Sequence, residues 1–502
     1  MMTVENLNYS KSLGDLFSDP TLANASLNVT GVAIDSRKVR SGDLFLAYKG
    51  SQANGIDYIE DAIQSGAIAI AVDEDEEINT KSNSIKIIKV ANLRKQAGFI
   101  ISRFYDQPSK AMQLIGITGT NGKTTVSYII AYALYMLGQQ SAVIGTLGYG
   151  KFRQLEVSTS TTPDPVKLHS LFSSWRDAVD FVAMEVSSHA LDQGRVAGAE
   201  FDIAVFTNLT RDHLDYHKTI EDYAEAKFQL FESAELKYAI VNSDDSYGAQ
   251  LIESLPSTLN TVIYSAKQNL SELTKSDISF VYCKEIETNN LESTLSIASS
   301  WGQATVQTSL LGEFNVDNIL AAFATLCVSG FDVEQIAEAL SGFTGIPGRM
   351  EYFSTEEKPL LVIDYAHTPD ALEKALTALR PYCSGKLYCV FGCGGDRDVG
   401  KRSQMGAVSE QLADQVVLTN DNPRTETPEQ IVENILEGIH NRSIVTVKYD
   451  RSDAITNTFL NANKNDVILI AGKGHETTQQ IGASLLPFSD RELARRLTEK
   501  ES

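Results

Sequence analysis

The chain has 502 residues, which suggests about three domains rather than a single core. With 43% hydrophobic and 22% charged residues, its composition is typical of soluble globular proteins, and no apolar run is long enough to span a membrane. The formal net charge of −22, from 65 acidic against 43 basic residues, argues against binding to nucleic acid or to anionic membranes. A small anionic ligand is still compatible with this charge if basic residues cluster around it.

Two further features predict a cytoplasmic protein. The N-terminus, MMTVENLNYSKSLGDLF, has no basic segment followed by an apolar one, so it does not resemble a secretion signal. The five cysteines are odd in number and form no C-x-x-C pair, which favours free thiols in a reducing compartment.

The first two sections of the chain are separated by a turn-forming stretch near residue 110. Before it, the short apolar runs DLFLAY and AIAIAV predict strands between polar turns. After it, the buried-strand pattern MQLIGIT, a glycine-rich turn and the apolar helix VSYIIAYALYML predict the start of an α/β unit. Further strand patterns follow in SAVIGTLG, FVAMEV, DIAVFTNL and YAIVNS, up to a boundary near residue 345.

The third section repeats the same rhythm. Strand patterns occur in LLVIDYA, KLYCVFGCGG, QVVLTND and DVILIAGKGHE, most of them followed by a helical pattern. We therefore predict an α/β protein with domains at residues 1–110, 111–345 and 346–502, the last a second doubly wound domain. In such sheets ligands bind at the carboxyl ends of the strands, where the polar clusters of this sequence lie.

The strongest single motif is the glycine-rich turn GITGTNGKTT, residues 116–125. It fits G-x-x-x-x-G-K-[ST] only if the first glycine is displaced to Gly116, because Ile117 occupies the strict position. Gly119 and Gly122 still allow backbone N–H groups to turn toward a polyphosphate, and the following helix directs its positive end there. Lys123 would then reach the β- and γ-phosphates, and Thr124 would offer a hydroxyl to Mg²⁺.

Four more residues have side chains that could bind a metal or take part in chemistry. Glu185 ends the apolar strand FVAMEV, which is where a second metal ligand belongs in this fold. His213 and His217 are four apart, but two histidines are a weak metal signal, and the residues alone favour a hydrogen-bonded loop histidine. From the residues alone, Lys227 in AEAKFQLF is a solvated helix lysine.

The ordered set of motifs resembles the Mur ligases. The set contains GITGTNGKTT, TTPD, EVSSHAL, FTNLTRDHLDYH, AEAKFQLF, GEFNVDN, GIPGRME, DYAHTPD, GCGGDRD, DNPRTE and GKGHE, and the likeness extends from about Asp35 to Glu476. It is similar in particular to the members that add a diamino acid to UDP-N-acetylmuramoyl-L-alanyl-D-glutamate. The resemblance implies an N-terminal uridine-nucleotide domain, a central ATPase and a C-terminal Rossmann-like domain with the amino acid site.

This resemblance implies an ATP-dependent amide-bond ligase that works through an acyl phosphate. The ligase would act in peptidoglycan precursor synthesis, and so in cell-wall biogenesis, cell shape and cell division. Its substrates would be ATP, the UDP-linked muramyl dipeptide and a diamino acid, with Mg²⁺ as the metal. We expect a monomer.

The resemblance also implies roles for individual residues. Glu185 and His213 would bind the second Mg²⁺, and Lys227 would be carbamylated by CO₂, which reverses the interpretation from the residues alone. The ATP-binding residues would be Gly119, Thr120, Asn121, Gly122, Lys123, Thr124, Thr125, Asn318, Arg349, Asp364 and His367. The UDP-sugar and dipeptide would be held by Ser36, Thr161, Thr162, Ser187, Gln193 and Arg195.

The amino acid site is implied by Arg397, Asp421, Asn422, Pro423, Arg424, Gly472 and Glu476. The form DNPR is associated with meso-diaminopimelate, whose distal carboxylate a guanidinium binds bidentately. Glu476 suits the distal ammonium. The alternative substrate is L-lysine, and the alternative interpretation of Arg424 is a surface arginine beside Glu426 and Glu429.

Three other functions would explain part of this sequence but not all of it. A folylpolyglutamate-synthase-like ligase would not need the uridine-type section or the DNPR and GKGHE motifs. A phosphate-loop switch or motor would not need a second Rossmann-like domain with an anion-binding arginine. A non-catalytic homologue would not need intact Lys123, Thr124, Glu185, His213 and Lys227.

Overall fold

The computed structural model describes residues 9–18, 27–50, 53–78, 85–158, 160–271, 278–355 and 357–499. They form two compact units. The first contains the chain up to Lys284 together with Ile297–Ala304 and Asp317–Leu340. The second contains Glu285–Ser296, Thr305–Val316 and the chain from Ser341 onward.

The first unit begins with a parallel sheet of four strands. The strands are β3 (Gly31–Ala33), β4 (Asp43–Ala47), β5 (Ala69–Asp73) and β6 (Lys86–Val90), hydrogen-bonded in that order, after the antiparallel pair β1 (Lys11–Ser12) and β2 (Asn28–Val29). The helices are α1 (Leu13–Phe17), α2 (Ile59–Gln64) and α3 (Leu93–Phe104). Every residue of β4 is buried, as expected for an apolar strand that is covered on both faces.

The central sheet has ten strands in the order β16-β15-β14-β13-β12-β11-β7-β10-β8-β9. The strands are β7 (Gln113–Thr118), β8 (Ser141–Gly145), β9 (Gly148–Lys151), β10 (Phe181–Glu185), β11 (Ile203–Phe206), β12 (Tyr238–Asn242), β13 (Asn260–Ser265), β14 (Ile278–Asn289), β15 (Glu292–Ser299) and β16 (Gly302–Thr308). From β8 through β10, β7, β11, β12 and β13 to β14 the pairing is parallel.

The helices that cover this sheet have recognisable starts. They are α4 (Lys123–Met136), α5 (Pro165–Trp175), α6 (Ser188–Asp192), α7 (Leu214–His217), α8 (Ile220–Phe228), α9 (Ser246–Ser254), α10 (Phe314–Val328) and α11 (Val333–Ser341). At α5 the Asp164 side chain accepts a hydrogen bond from Lys167 N, and Pro165 takes the first helical position. At α4 the cap is Gly122, whose left-handed backbone turns the chain directly into the helix.

The second unit is built on a six-stranded sheet in the order β17-β18-β22-β19-β20-β21. The strands are β17 (Glu351–Phe353), β18 (Leu360–Asp364), β19 (Leu387–Phe391), β20 (Gln415–Leu418), β21 (Val445–Val447) and β22 (Val467–Ala471). All pairs are parallel except the edge pair of β17 with β18. The remaining elements are α12 (Pro369–Leu379), α13 (Gly400–Leu412), α14 (Pro428–Leu436), α15 (Arg451–Asn461), α16 (Asp490–Thr498) and the hairpin β23 (Thr478–Ile481) with β24 (Ser484–Pro487).

These sheets confirm the predicted α/β fold class and each strand that the apolar runs predict. Apolar clusters pack on both faces of the C-terminal sheet, and a larger one lies beneath the central sheet. Because parallel strands end at one edge, the polar segments that follow β7, β10 and β11 come together, as do those that follow β18, β19, β20 and β22. The exact domain boundaries stay a prediction.

Within the described part of the chain, no helix is both long and apolar enough to cross a membrane. All five cysteines, Cys283, Cys327, Cys383, Cys389 and Cys393, are free thiols, as predicted.

One helix packs unusually closely in the first unit. A Cβ added at Gly98 in α3 would lie 2.8 Å from the Ala197 Cβ and closer still to the Ala197 carbonyl oxygen. Facing it, a Cβ at Gly198 would lie 2.8 Å from the Gly98 carbonyl oxygen. Backbone therefore meets backbone at this contact, with no room for a methyl group.

We predict that Gly98→Ala destabilises the protein by about 1–3 kcal/mol, because the added methyl overpacks a backbone contact. Helix propensity alone predicts the opposite sign, a gain of roughly 0.5–1 kcal/mol for Gly→Ala in a helix. Gly400→Ala in the first turn of α13 is the matched control, because its nearest neighbour is the flexible Asp398 side chain at 3.3 Å. Thermal unfolding of both variants decides the point, and an unchanged midpoint for Gly98→Ala would contradict the packing argument.

Candidate active site

The phosphate loop lies between β7 and α4. Gly119 and Gly122 both have positive φ, 147° and 86°. A Cβ at Gly122 would lie 2.5 Å from Asn318 Oδ1, and one at Gly119 would collide with the Thr207 hydroxyl. Only glycine fits at both positions, so the loop that the sequence predicts starts at Gly119.

The displaced first glycine of the motif is not part of this loop. Gly116 lies in the middle of β7, where an added Cβ would lie 2.8 Å from the ring of Phe201. Its role is packing of the strand. The departure from the strict motif spacing therefore leaves the loop geometry intact.

Two lysines converge on one carbonyl oxygen of the loop. Lys123 Nζ donates to Gly119 O at 2.7 Å and to Thr120 O at 2.8 Å. Lys227 Nζ, which comes from α8, donates to the same Gly119 O at 2.7 Å. Two amine groups thus meet at the point where the loop begins.

Lys227 is 1% exposed, so the prediction of a solvated helix lysine from the residues alone is wrong. Its amine lies 4.4 Å from the centre of the Tyr223 ring, one helical turn earlier. Among the described residues, its contacts are this ring and the Gly119 carbonyl rather than a carboxylate. Burial and the neighbouring Lys123 ammonium hold the pKa of the Lys227 amine well below its ordinary value, which favours the neutral amine.

Glu185 ends β10 and is 1% exposed. Its Oε2 accepts hydrogen bonds from Thr124 Oγ1 at 3.0 Å and from Thr146 Oγ1 at 3.2 Å. Its Oε1 accepts one from Thr146 N at 2.7 Å. The buried carboxylate is therefore fixed directly beside the threonine that follows the phosphate-loop lysine.

His213 lies in the loop after β11 with a left-handed backbone, φ 53°. Its ring packs against those of His189, at 4.9 Å between centres, and Tyr223, at 6.0 Å. His217 packs on the same two rings, 5.4 Å from that of His189 and 5.2 Å from that of Tyr223, and its Nε2 lies 3.0 Å from Ser188 Oγ. Both histidines therefore lie beside His189 and Tyr223.

The donor set at this loop suits Mg²⁺. Thr124 and Glu185 offer oxygen, which Mg²⁺ prefers. In the ranges that the structure describes, no three His, Cys, Asp or Glu side chains are grouped to hold a metal ion. A carbamate on Lys227 would add a further anionic oxygen ligand to the same region.

The residues predicted to hold the dipeptide lie on neighbouring segments of the first unit. Thr162 Oγ1 donates to Glu185 O at 2.9 Å and accepts from Ser187 N at 3.1 Å. Arg195 donates from Nε to Gln193 Oε1 at 2.8 Å and from Nη1 to Thr162 O at 3.3 Å. These hydrogen bonds join the segments that carry the side chains to Glu185, whose carboxylate lies beside Thr124. Thr161 joins through its hydroxyl, 3.1 Å from that of Thr146.

The predicted uridine contact, Ser36, lies in the four-stranded part of the unit. It is 7% exposed and begins a short 3₁₀ helix, Ser36–Lys38, which is capped by Asp35. Further along the chain, Tyr48 is half-buried, and burial, with Asp164 adding to it, raises the pKa of its phenol to about 12. Sequence patterns did not single out Tyr48, although it stands in the quoted run DLFLAY.

In the second unit, the predicted nucleotide residues surround the end of β18. Asp364 accepts from Met350 N and Ala366 N, both at 2.8 Å. The Arg349 guanidinium lies over the ring of Tyr365 at 4.6 Å, and His367 Nδ1 is 2.8 Å from Tyr365 O. Arg349, Asp364 and His367 therefore lie together at the end of β18, around Tyr365.

The predicted amino acid residues follow β20 and β22. Asn422 Nδ2 donates to Glu476 Oε2 at 2.9 Å, and Lys473 Nζ donates to the same oxygen at 2.7 Å. Gly472 has φ 111°, and a Cβ there would lie 2.6 Å from Asp421 Oδ2. Asp421, Asn422, Gly472 and Glu476 therefore form one cluster, around the fully buried Lys473.

Arg397 and Arg424 both reach Gly394. A Cβ at Gly394 would lie 2.9 Å from Arg424 Nη1 and 3.7 Å from Arg397 Cγ. Arg424 has a left-handed backbone and donates to Gly395 O at 2.7 Å, and Pro423 O packs against the Gly395 Cα. The alternative partner of Arg424, Glu426, forms an ion pair with Arg402 instead.

Several residues of these clusters were not predicted. Thr146, Tyr223, Arg402 and Lys473 stand within or beside quoted motifs, but nothing in their type or spacing shows that they hold other side chains. Asn208, which accepts from Asn121 N at 3.0 Å and so shapes the phosphate loop, lies in the quoted run FTNLTRDHLDYH. The functional roles of all site residues stay predictions.

The fold and the first of these clusters define a phosphate-loop nucleotide-binding protein with a separate α/β unit that carries buried acids and exposed guanidinium groups. Three family descriptions match in succession: "Mur ligase family, catalytic domain" at residues 28–105, "Mur ligase middle domain" at 117–326 and "Mur ligase, glutamate ligase domain" at 348–474. The chain belongs to the Mur ligase family.

Individual relatives agree. A UDP-N-acetylmuramoyl-L-alanyl-D-glutamate--2,6-diaminopimelate ligase of Coxiella burnetii is 46% identical over 94% of this chain and 96% of its own. One of the same name from Pseudomonas aeruginosa is 44% identical over 97% of both chains. A solved structure with that name matches at a TM-score of 0.72 and 35% identity, over 97% of this chain and 99% of its own. The predicted family and enzyme class, an ATP-dependent ligase, are confirmed.

A buried histidine supports the segment that carries Gln193 and Arg195. His169 in α5 is fully buried, and its Nε2 lies 3.1 Å from Ala197 O. Burial lowers the pKa of this imidazole to about 4. The neutral ring, with the proton on Nε2, fits the remaining observation that Nδ1 is buried without a partner among the described residues.

We predict that His169 makes stability depend on pH. Between its ordinary pKa of 6.5 and the lowered value of about 4, the unfolded chain binds a proton that the folded chain excludes. Stability present above about pH 6.5 is therefore lost as pH falls, by about 2 kcal/mol at about pH 5.

Urea unfolding at about pH 7 and about pH 5 measures this loss. His169→Gln is the control, because its amide can still donate to Ala197 O but does not titrate. A variant that lost as much stability as the wild type would refute the assignment to His169.

Proposed function

We propose that this chain joins meso-2,6-diaminopimelate to the D-glutamate of UDP-N-acetylmuramoyl-L-alanyl-D-glutamate with hydrolysis of ATP. The observation that carries the proposal is the phosphate-loop cluster of Lys123, Thr124 and Glu185, in a chain 46% identical to a relative of that name over 94% of its length. The names of the relatives support diaminopimelate over L-lysine and a ligase over a nucleotide switch or a folylpolyglutamate-type enzyme.

The work is divided among three domains. Residues 1–110 bind the uridine end through Ser36, residues 111–345 bind ATP and the dipeptide, and residues 346–502 bind the amino acid. The three matched family regions support this division, since each falls within one proposed domain.

The first chemical step activates the acceptor. A carboxylate is a poor electrophile, so the D-glutamate side-chain carboxylate attacks the γ-phosphorus of ATP. The new O–P bond gives an acyl phosphate, and the bond to the bridging oxygen breaks to release ADP. Lys123 and the N–H groups between Gly119 and Thr124 neutralise charge on the transferring group.

The second step forms the amide bond. A neutral amine of diaminopimelate attacks the acyl carbon, and the tetrahedral intermediate expels phosphate. The role of Arg195, Gln193 and Thr162 is to hold the dipeptide so that its carboxylate faces the γ-phosphate, because positioning supplies much of the rate when several substrates meet.

Mg²⁺ belongs beside Thr124 and Glu185, with His213 and a carbamate on Lys227 as further ligands. When bound, the metal would neutralise charge on the phosphates and orient them. The carbamate forms when the neutral Lys227 amine attacks CO₂, making an N–C bond and releasing a proton. The burial of Lys227 and the lowered pKa of its amine support this modification, because a neutral amine is available as a nucleophile.

The amino acid is selected in the second unit. Arg424 and Arg397, which both reach Gly394, bind the distal carboxylate, and Glu476 binds the distal ammonium. Asp421, Asn422, Pro423 and Gly472 shape the rest of the site.

Arg349, Asp364 and His367, with Asn318, Thr120, Asn121 and Thr125, complete the nucleotide site. We place this reaction in the cytoplasm, carried out by a monomer.

Phosphate release from ATP tests the function directly. We predict that release in the presence of the UDP-muramyl dipeptide requires meso-diaminopimelate and is not supported by L-lysine, since only the former has a distal carboxylate for Arg424. If only L-lysine supported release, the proposed ligase activity would stand and the proposed amino acid substrate would be refuted. Release with ATP alone would favour a nucleotide switch.

Carbamylation has its own test. We predict that wild-type protein in ¹³C-bicarbonate gives a carbamate carbon resonance that Lys227→Met lacks. Lys237→Met is the control, because Lys237 is an exposed lysine paired with Asp202 and should leave the resonance intact. A resonance that survives Lys227→Met would contradict the assignment.

A further inference from the structure

Arg402 and Glu426 form a closed ion pair beside the amino acid loops. The Arg402 side chain is fully buried, and its Nη1 and Nη2 donate to the two oxygens of Glu426 at 2.7 and 2.8 Å. Arg402 also donates to Asn434 Oδ1 at 3.0 Å and to Gly394 O at 3.2 Å. The backbone N–H of Asp396 donates to Glu426 Oε1. Both carboxylate oxygens of Glu426 are therefore occupied.

Arg424 lies against the same short stretch of backbone. Its Nη1 is 2.9 Å from the position of a Cβ at Gly394, and the Glu426 Cβ is 3.3 Å from the position of a Cβ at Gly395. The two residues are two apart in the chain, and their side chains pack over adjacent glycines. Arg424 donates to a neutral carbonyl, Gly395 O, which leaves the charge of its guanidinium uncompensated by this bond.

We propose that Arg402 is a positioning residue that sequesters Glu426, so that Arg424 stays available to the distal carboxylate of the amino acid substrate. The proposal rests on the proposed function and adds a residue to its specificity. Without Arg402, the Glu426 carboxylate, two residues from Arg424 in the chain, would be free to pair with its guanidinium. The substrate would then have to displace it.

The physical argument is competition for one guanidinium. Arginine binds carboxylates bidentately, and a tethered carboxylate two residues away has a high effective concentration. The hydrogen bonds from Arg402 and from the Asp396 backbone lower the pKa of Glu426 to about 2. Glu426 is therefore an anion near neutral pH. Arg402 binds both of its oxygens bidentately, and Arg424 would have to compete with these bonds.

A second explanation makes Arg402 only a clamp that joins the loops after β19 and β20. The two explanations predict different results when Glu426 is changed. If Arg402 is only a clamp, removing either partner breaks it, and removing both cannot restore it. If Arg402 sequesters Glu426, removing the carboxylate removes the competitor, so the loss caused by an Arg402 variant is rescued.

The test measures KM separately for meso-diaminopimelate, ATP and the UDP-linked dipeptide. For Arg402→Gln we expect KM for diaminopimelate to rise about 30-fold, with the other two KM values unchanged. We expect Glu426→Gln alone, and the double variant Arg402→Gln/Glu426→Gln, to stay within about threefold of wild type. Arg380→Gln is the control, because it breaks an ion pair with Asp414 at 2.8 Å that lies just before β20, whereas Glu426 lies in the loop after β20.

Failure of rescue would overturn the proposal: a double variant as weak as Arg402→Gln, or a Glu426→Gln variant equally weak, identifies a clamp. If Arg402→Gln does not fold, the same comparison is made with Arg402→Lys and Arg402→Lys/Glu426→Gln. A wild type that uses diaminopimelate but shows no rescue overturns only the role of Arg402. A wild type that uses L-lysine and ignores diaminopimelate overturns both proposals, since no distal carboxylate then exists.

Discussion

The site in the first unit depends on a single backbone carbonyl. Gly119 O accepts hydrogen bonds from both Lys123 and Lys227, so two amines that would repel each other as cations are drawn to one acceptor. Burying a charged ammonium with only a carbonyl and an aromatic ring beside it is costly, and the low pKa of Lys227 is the result. The same constraint favours a neutral amine at Lys227 on α8, beside the ammonium of Lys123 at the start of α4. The left-handed glycine makes the arrangement possible, because it turns its carbonyl inward.

The second unit brings several acidic side chains together and pairs most of them with cations. It collects Asp421, Glu476, Glu426 and Asp490 near one edge of a parallel sheet, and three of these acids pair with a buried cation. Lys473 forms an ion pair with Glu476, and Arg402 forms one with Glu426. Arg451 pairs with Asp490, to which its Nε and Nη2 each donate at 2.8 Å. The three cations that pair with these acids are buried, whereas Arg397 is exposed and Arg424 only half-buried.

Much of this could be predicted from the sequence, and the limit has a physical cause. Apolar runs such as MQLIGIT and DVILIAGKGHE predict strands buried on both faces, and the turns after them predict where ligands bind. The phosphate loop was predictable because glycine, lysine and threonine act locally. Lys227 was not, because its burial depends on the Tyr223 ring and on a loop more than one hundred residues earlier. Arg402 was missed for the same reason: its importance lies in Glu426, a partner that no local pattern reveals.

The close packing of α3 has a consequence for how long a substrate must be. Gly98 and Gly198 bring backbone against backbone, and Ser102 Oγ donates to Gly198 O at 2.9 Å, so the four-stranded part that includes Ser36 packs closely on the segment that contains Arg195. In the proposed function, one substrate molecule binds the former through its nucleotide and the latter through its peptide. The distance between these two binding segments is then set by the protein. A precursor with a shorter or longer link between its two ends would place its carboxylate short of, or beyond, the point at which phosphate is delivered.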